Sequence, residues 1–230
     1  MRTRYNGVEP SAGSSVTAAS IITAVADPDD AADVNAALGN GAIPNDLSTA
    51  TTTNGSGTAS VTAGVASTSL LAAATGVYAG GTWTGPRVKL ADAAPFPGSF
   101  RVVARLASLS GSSDSYAYFG VVSEADNRFR GWRVRGHNGA SACMVDTSVL
   151  VTPANSPRDG TTWFAYQRVA GSQAWWYGTG TSTDPPAAWT EGETAADTSP
   201  PDGTVVFGLA KSDTSDAAVA TWDNVRIGAL

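Results

Sequence analysis

The chain has 230 residues, 42% hydrophobic and 15% charged, enough to bury one full core or one core with a small appendage; it is not a disordered tail. Its 25 glycines and 12 prolines, with lysine only at positions 89 and 211, argue against long exposed helices and for an all-β domain with many turns. A net charge of -6 argues against duplex nucleic acid or an anionic membrane as the partner.

Residues 1 to about 16 are polar and read as an extended arm. Two arginines near Met1 lack an apolar segment behind them, and no run of about 18 apolar residues occurs, so neither a secretory signal nor a membrane span is expected. With Met1 as the natural start, such a chain would leave a cell by assembly, lysis or a dedicated machine, or stay in the cytoplasm. The β-branched run Ser20 to Ala26 leads into a helix start, with Asp27 as N-cap, Pro28 in the first turn and Asp29 and Asp30 at the positive dipole end; Gly39 stops it. Ala31, Val34, Ala37 and Leu38 share one face. So short a helix must dock on the domain behind it or on a neighbouring chain, which makes Val34, Ala37 and Leu38 attachment candidates. The low-complexity stretch Gly41 to Gly57 reads as a linker or an extended strand, and divides the chain into 1–55 and 56–230.

Beyond it, strand-like segments recur at Thr58–Ala63, Thr68–Ala73, Arg87–Leu90, Phe100–Leu109, Tyr116–Glu124, Arg128–Arg135, Ala142–Val145, Trp163–Val169, Ala174–Tyr177, Thr204–Ala210 and Ala218–Ile227. Turn residues such as Gly111 to Asp114 and Ala170 to Ser172 connect them, which predicts a sandwich of two antiparallel sheets. The single Cys143, in an apolar run, excludes an internal disulfide and a thiolate metal cage and reads as a buried thiol. The single His137 excludes a multi-histidine metal site, and no nucleophile set or glycine-rich phosphate loop can be assigned.

The stretch Thr162 to Tyr177 has an aromatic-started strand, Arg168, a turn at Gly171 and a strand ending in Trp175, Trp176 and Tyr177. With Trp83 to Pro86, Phe100 to Leu106, Trp189-Thr190 and the closing segments Val205 to Ala210 and Ala220 to Ile227, it resembles the concanavalin A-like jelly rolls related to laminin-G modules and to sandwich domains of bacterial glycoside hydrolases. The likeness covers about residues 57 to 228. It implies the fold and leaves function open, since such domains bind glycans, bind proteins, brace enzymes or build particles. Ile22 to Asp27 and Asp33 to Leu38 resemble the segments that open structural proteins of tailed bacteriophages, where a small module attaches to the virion.

Three constellations bear chemistry. Arg128 to Arg135 places four of the 14 basic residues in eight positions; in a strand Arg128, Arg130, Trp132 and Val134 share one face. Arginine beside an indole suits an acidic sugar, and a solvated face of arginines paired with aspartates is the structural alternative. Trp175 and Tyr177 share another face, as a stacking platform or as core. Glu191 and Glu193 are a close carboxylate pair of the kind glycoside hydrolysis needs, but the flanking prolines make the segment a loop, and catalysis is not expected. Laminin-G-like domains often carry calcium, for which Asp213, Asp216 and Asp223 would be the ligands; without EF-hand spacing they read also as solvated turn residues.

These readings converge on an all-β, two-sheet antiparallel jelly roll behind a small N-terminal arm and short helix. The expected role is a non-enzymatic virion structural protein, a spike, fibre or decoration subunit. It would bind host surface polysaccharide through Arg128, Arg130, Trp132, Trp175 and Tyr177. The expected partners are copies of itself, a trimer first, and other virion proteins, with no cofactor required, and the expected location is the virion surface. The alternatives are a purely structural capsid or tail protein, or an accessory module of a glycoside hydrolase system.

Overall fold

The computed structural model describes residues 43–44, 47–79, 82–90, 100–112, 114–123, 128–136, 141–145, 148–151, 162–169, 171–196 and 204–229. In chain order the strands are β1 (Ile43–Pro44), β2 (Ala50–Thr53), β3 (Thr58–Thr62), β4 (Val65–Leu70), β5 (Tyr78–Ala79) and β6 (Thr82–Trp83). There follow β7 (Arg87–Leu90), β8 (Phe100–Ser110), β9 (Ser115–Val122), β10 (Phe129–Arg135), β11 (Ser141–Val145) and β12 (Ser148–Val151). The last are β13 (Thr162–Val169), β14 (Ser172–Thr179), β15 (Thr190–Ala196), β16 (Thr204–Lys211) and β17 (Ala218–Ala229). One sheet of eight strands runs β15-β14-β13-β8-β17-β4-β3, with β1 also on β17; the other, of seven, runs β12-β11-β10-β9-β16-β7-β2. The β5-β6 pair stands apart from both.

The strands form where the sequence alternates. In β9, Ala117, Phe119 and Val121 enter the core between the sheets, while Tyr118 and Val122 belong to a second cluster on the outer face. The core centre is aromatic: Phe119 stacks on Phe207 at 5.5 Å, and Trp222 lies 5.2 Å from Phe119 and 5.8 Å from Phe164. Two indoles tie the sheets reciprocally. Trp132 on β10 donates its Nε1–H to the Ala165 carbonyl on β13 at 2.9 Å, and Trp175 on β14 donates to the Gly131 carbonyl on β10 at 2.8 Å. Gly131 pairs with Gly120 across β9 and β10, where a Cβ on Gly131 would lie 2.3 Å from the Phe119 carbonyl oxygen. Only a glycine pair lets these strands approach so closely.

Lys211 is wholly buried, and its ammonium donates to the carbonyls of Leu71 at 2.9 Å, Ala72 at 2.8 Å and Asp216 at 2.5 Å. All three N–H donors are thereby used, which is how this buried lysine is accommodated with backbone carbonyls as its hydrogen-bond acceptors. The clamp fixes the segment leading from β4 into β5.

Each of the eleven expected segments overlaps a paired strand. The segment around Glu191 and Glu193, expected as a loop, is instead strand β15, paired along β14 through a register shift between Trp175 and Trp176. β2, on the N-terminal side of the division drawn at residue 55, pairs with β7, so the sandwich draws in chain from before that point. The expected helix, with Val34, Ala37 and Leu38, lies outside the described residues.

Candidate functional site

The structure places the residues expected to bind glycan mostly inside the sandwich. β10 alternates as expected, but the face shared by Arg130, Trp132 and Val134 points inward: Trp132 and Val134 are core, and Arg130 is 5% exposed. Trp132 packs 5.2 Å from Phe164 and 5.8 Å from Tyr177, and Trp175 is also wholly buried. Tyr177 is buried against them. None of these rings offers a face to a sugar, because each is enclosed by the opposite sheet. Arg128 alone of the set is exposed, at the entry to β10, where its carbonyl accepts from Arg130 Nη1 at 3.2 Å.

The acidic candidates disperse too. Asp223 is held by Arg105 on β8, whose Nε donates to Oδ1 at 2.7 Å and whose Nη2 pairs with Oδ2. Asp213 accepts from the Ser112 hydroxyl and lies in the turn before β17, and that bond holds its carboxyl below the usual range. Asp216 gives its backbone carbonyl to Lys211. Among the described residues no three acidic, histidine or cysteine side chains gather as a metal site. Glu191 accepts from the Thr194 hydroxyl at 2.5 Å, and Glu193 accepts from the Thr194 amide at 3.0 Å, so both carboxylates turn along their own edge strand. Cys143 is buried as expected, and burial first and Glu193 second push its thiol pKa upward, which leaves it unreactive.

A groove lies instead on the outer face of the seven-stranded sheet. In β7 the alternation sends Val88 and Leu90 into the core and leaves Arg87 and Lys89 outside. The β5-β6 pair lies across this face through its aromatics. Trp83 seats its indole on Gly208 of β16, where a Cβ would fall 1.8 Å from its Cζ2, so the seat requires glycine. The Trp83 ring lies 5.0 Å from Tyr118 and 5.0 Å from Tyr78, and Tyr78 lies 5.8 Å from Phe129. The Tyr78 hydroxyl accepts from the Phe129 amide at 2.7 Å, the Thr84 amide donates to the Val77 carbonyl at 2.9 Å while the Thr84 hydroxyl accepts from the Val77 amide at 3.0 Å, and Arg87 Nη1 donates to the Trp83 carbonyl at 3.0 Å. Tyr78, Thr82, Trp83, Arg87, Lys89, Val122 and Val206 enclose about 270 Å³. Tyr78 and Trp83 are half-buried, each packed partly on the sheet, and the Trp83 Nε1 is enclosed with no acceptor among the described residues.

The sequence contained the signal for this site: the alternation Arg87-Val88-Lys89-Leu90 four residues after a tryptophan. Reading Trp83 only as part of an early strand missed it.

A second aromatic cluster, on the outer face of the eight-stranded sheet, joins Trp163, Trp189 and half-buried Trp176. It is closed over by its own loop, since Trp163 Nε1 donates to the Thr181 carbonyl at 3.0 Å and Arg226 lies 5.8 Å from the Trp163 ring.

No protein family matches the chain, and no curated protein does. Solved structures do. A functionally unknown protein from Saccharomyces cerevisiae is 15% identical with a TM-score of 0.53, over 81% of this chain and 99% of that one. The exoplasmic/lumenal domain of VIP36, solved with calcium and a mannose disaccharide, is 9% identical with a TM-score of 0.52, over 79% and 81%. An alginate lyase of polysaccharide lyase family 7, AlgAT5, is 9% identical with a TM-score of 0.51, over 76% and 83%. The chain is thus an all-β, two-sheet antiparallel jelly-roll sandwich of the concanavalin A-like kind. Identities this low carry the fold alone.

Proposed function

We propose that this chain is a non-catalytic polysaccharide-recognition module, displayed on a virion surface as a homo-oligomer and seated there by its N-terminal segment with Val34, Ala37 and Leu38. The observation that carries the recognition is the groove under β5-β6. Two half-exposed aromatic rings stand on a rigid sheet beside polar and cationic side chains, which suits a sugar ring that stacks through its apolar face and bonds at its rim. The neighbours support the same reading at the level of ligand class, since VIP36 is described with mannose and AlgAT5 is named for alginate. The phage-like N-terminal segment supports the virion setting.

The test is retention of purified protein on a panel of acidic and neutral bacterial surface polysaccharides, with reducing ends assayed in the same tubes. Retention without new reducing ends is expected. Release of reducing ends would overturn the non-catalytic reading, and failure to retain any polysaccharide would overturn recognition in favour of a purely structural role.

A further inference from the structure

We infer that the groove selects a carboxylate-bearing sugar unit, a uronate, with the acid on Arg87 and Lys89 and the ring against Trp83. This rests on the polysaccharide-recognition reading and narrows it to a ligand class. In a chain of net charge -6, two of the 14 cationic residues stand on one short strand, both facing outward and about 7 Å apart along it. Arg87 is preset: one guanidinium nitrogen is spent on the Trp83 carbonyl, which fixes the plane of the fork beside the indole. Among the described residues no carboxylate forms an ion pair with Arg87, so an acid from a ligand is the charge that complements it.

The geometry also fits a polymer. β7 is flanked by the edge strand β2, with Thr53 opposite Arg87 and Thr51 opposite Lys89. Both threonines are exposed, and so is Thr82 on the other side of Trp83. Cations and ring are therefore bordered by hydroxyls that neighbouring units of an extended chain can bond. Both ends of one sugar unit are served at once. The ring face meets Trp83, and an equatorial carboxylate projects toward β7, where a fork and an ammonium stand side by side.

Polygalacturonate, its carboxyl-reduced form and dextran sulfate are the probes, with intact protein and retention or titration as the readout. Polygalacturonate is expected to bind at least about tenfold more tightly than the reduced polymer, as a charged hydrogen bond lost implies. Arg87→Gln is expected to remove that preference and Arg87→Lys to restore only part of it, because lysine keeps the charge and not the fork. Arg135→Gln, which removes the same charge from an arginine 3.6 Å from Asp114 outside the groove, is expected to bind as the parent does. The thermal midpoint and near-ultraviolet dichroism of each variant report whether the hairpin has stayed in place. If that signature is lost in Arg87→Gln, Lys89→Gln, which leaves the Arg87–Trp83 bond intact, must lose the preference in its stead. Equal binding of native and reduced polymers would overturn the acid preference and leave recognition standing. Loss in Arg135→Gln equal to that in Arg87→Gln, or dextran sulfate binding as tightly as polygalacturonate, would also overturn it, as charge without a site. Retention of none of the probes would overturn the inference, and the panel of other polysaccharides then decides recognition separately.

Discussion

Lys211 offers the sharpest test of how the sandwich supports its groove. Lys211→Met keeps the length and apolar stem of the side chain but removes the ammonium that holds the Leu71, Ala72 and Asp216 carbonyls. Three charge-assisted bonds at about 1.5–3 kcal/mol each give a gross loss of about 4.5–9 kcal/mol. Relief of the ammonium's own desolvation returns several kcal/mol of that. The carbonyls belong to surface turns, with Leu71 77% exposed, so water can refill them at modest cost. The net expectation is a loss of about 2–4 kcal/mol, read by urea unfolding followed by far-ultraviolet dichroism. Because the clamp fixes the run from Leu71 toward Tyr78, hydrogen exchange at Gly76 and Val77 should accelerate more than that of β13 and β14. A loss below about 1 kcal/mol, or uniform acceleration across both sheets, would refute the clamp as a local anchor.

The reciprocal indole straps predict that Trp132→Phe and Trp175→Phe each lose about 1–2 kcal/mol more than Trp222→Phe, whose Nε1 has no acceptor among the described residues. Equal losses in all three, by the same unfolding assay, would leave only packing. Burial raises the folded pKa of Tyr118, with Arg133 opposing, and also raises that of Cys143, from ordinary values of 10.0 and 9.0. The unfolded chain then loses these protons first, so stability is full below about pH 9 and falls as pH rises above it. Tyr118→Phe combined with Cys143→Ala should flatten that fall, and an unchanged alkaline slope would assign it to other groups. Gly208→Val should displace Trp83 from its seat and weaken polysaccharide retention while β9-β16 pairing persists by amide exchange; retention at the parent level would show that the seat does not position the groove.

What the sequence disclosed, and what it hid, divides along local and non-local physics. Strands such as Phe100–Ser110 and Thr204–Lys211 were legible because β-rich apolar runs, partial alternation and flanking turn residues act within a few positions. β5 and β6 are two residues each, and their pairing across a sheet face comes from Gly208 and Tyr118, far along the chain, so no local pattern marks them. The same limit explains the misplaced site. Alternation in β10 correctly grouped Arg130, Trp132 and Val134, but which side faces the other sheet is decided by β13 and β14, whose carbonyl and indole meet it there. An arginine beside a tryptophan therefore read as surface when it lies at the margin of the core, where a long stem can be buried. The outward cations Arg87 and Lys89 were visible as alternation four residues after Trp83, but only the fold sets the Trp83 and Tyr78 rings beside them on one face of the sheet.

The central claim is that the face under β5-β6 is where polysaccharide binds. Hydrogen exchange of the intact chain, with and without a retained acidic polysaccharide, tests it directly. The account predicts slowed exchange in Tyr78–Trp83 and Arg87–Lys89, with the outer face around Trp163 and Trp189 unchanged. Protection confined to that second face, or no protection at the groove while polysaccharide is bound, would contradict it.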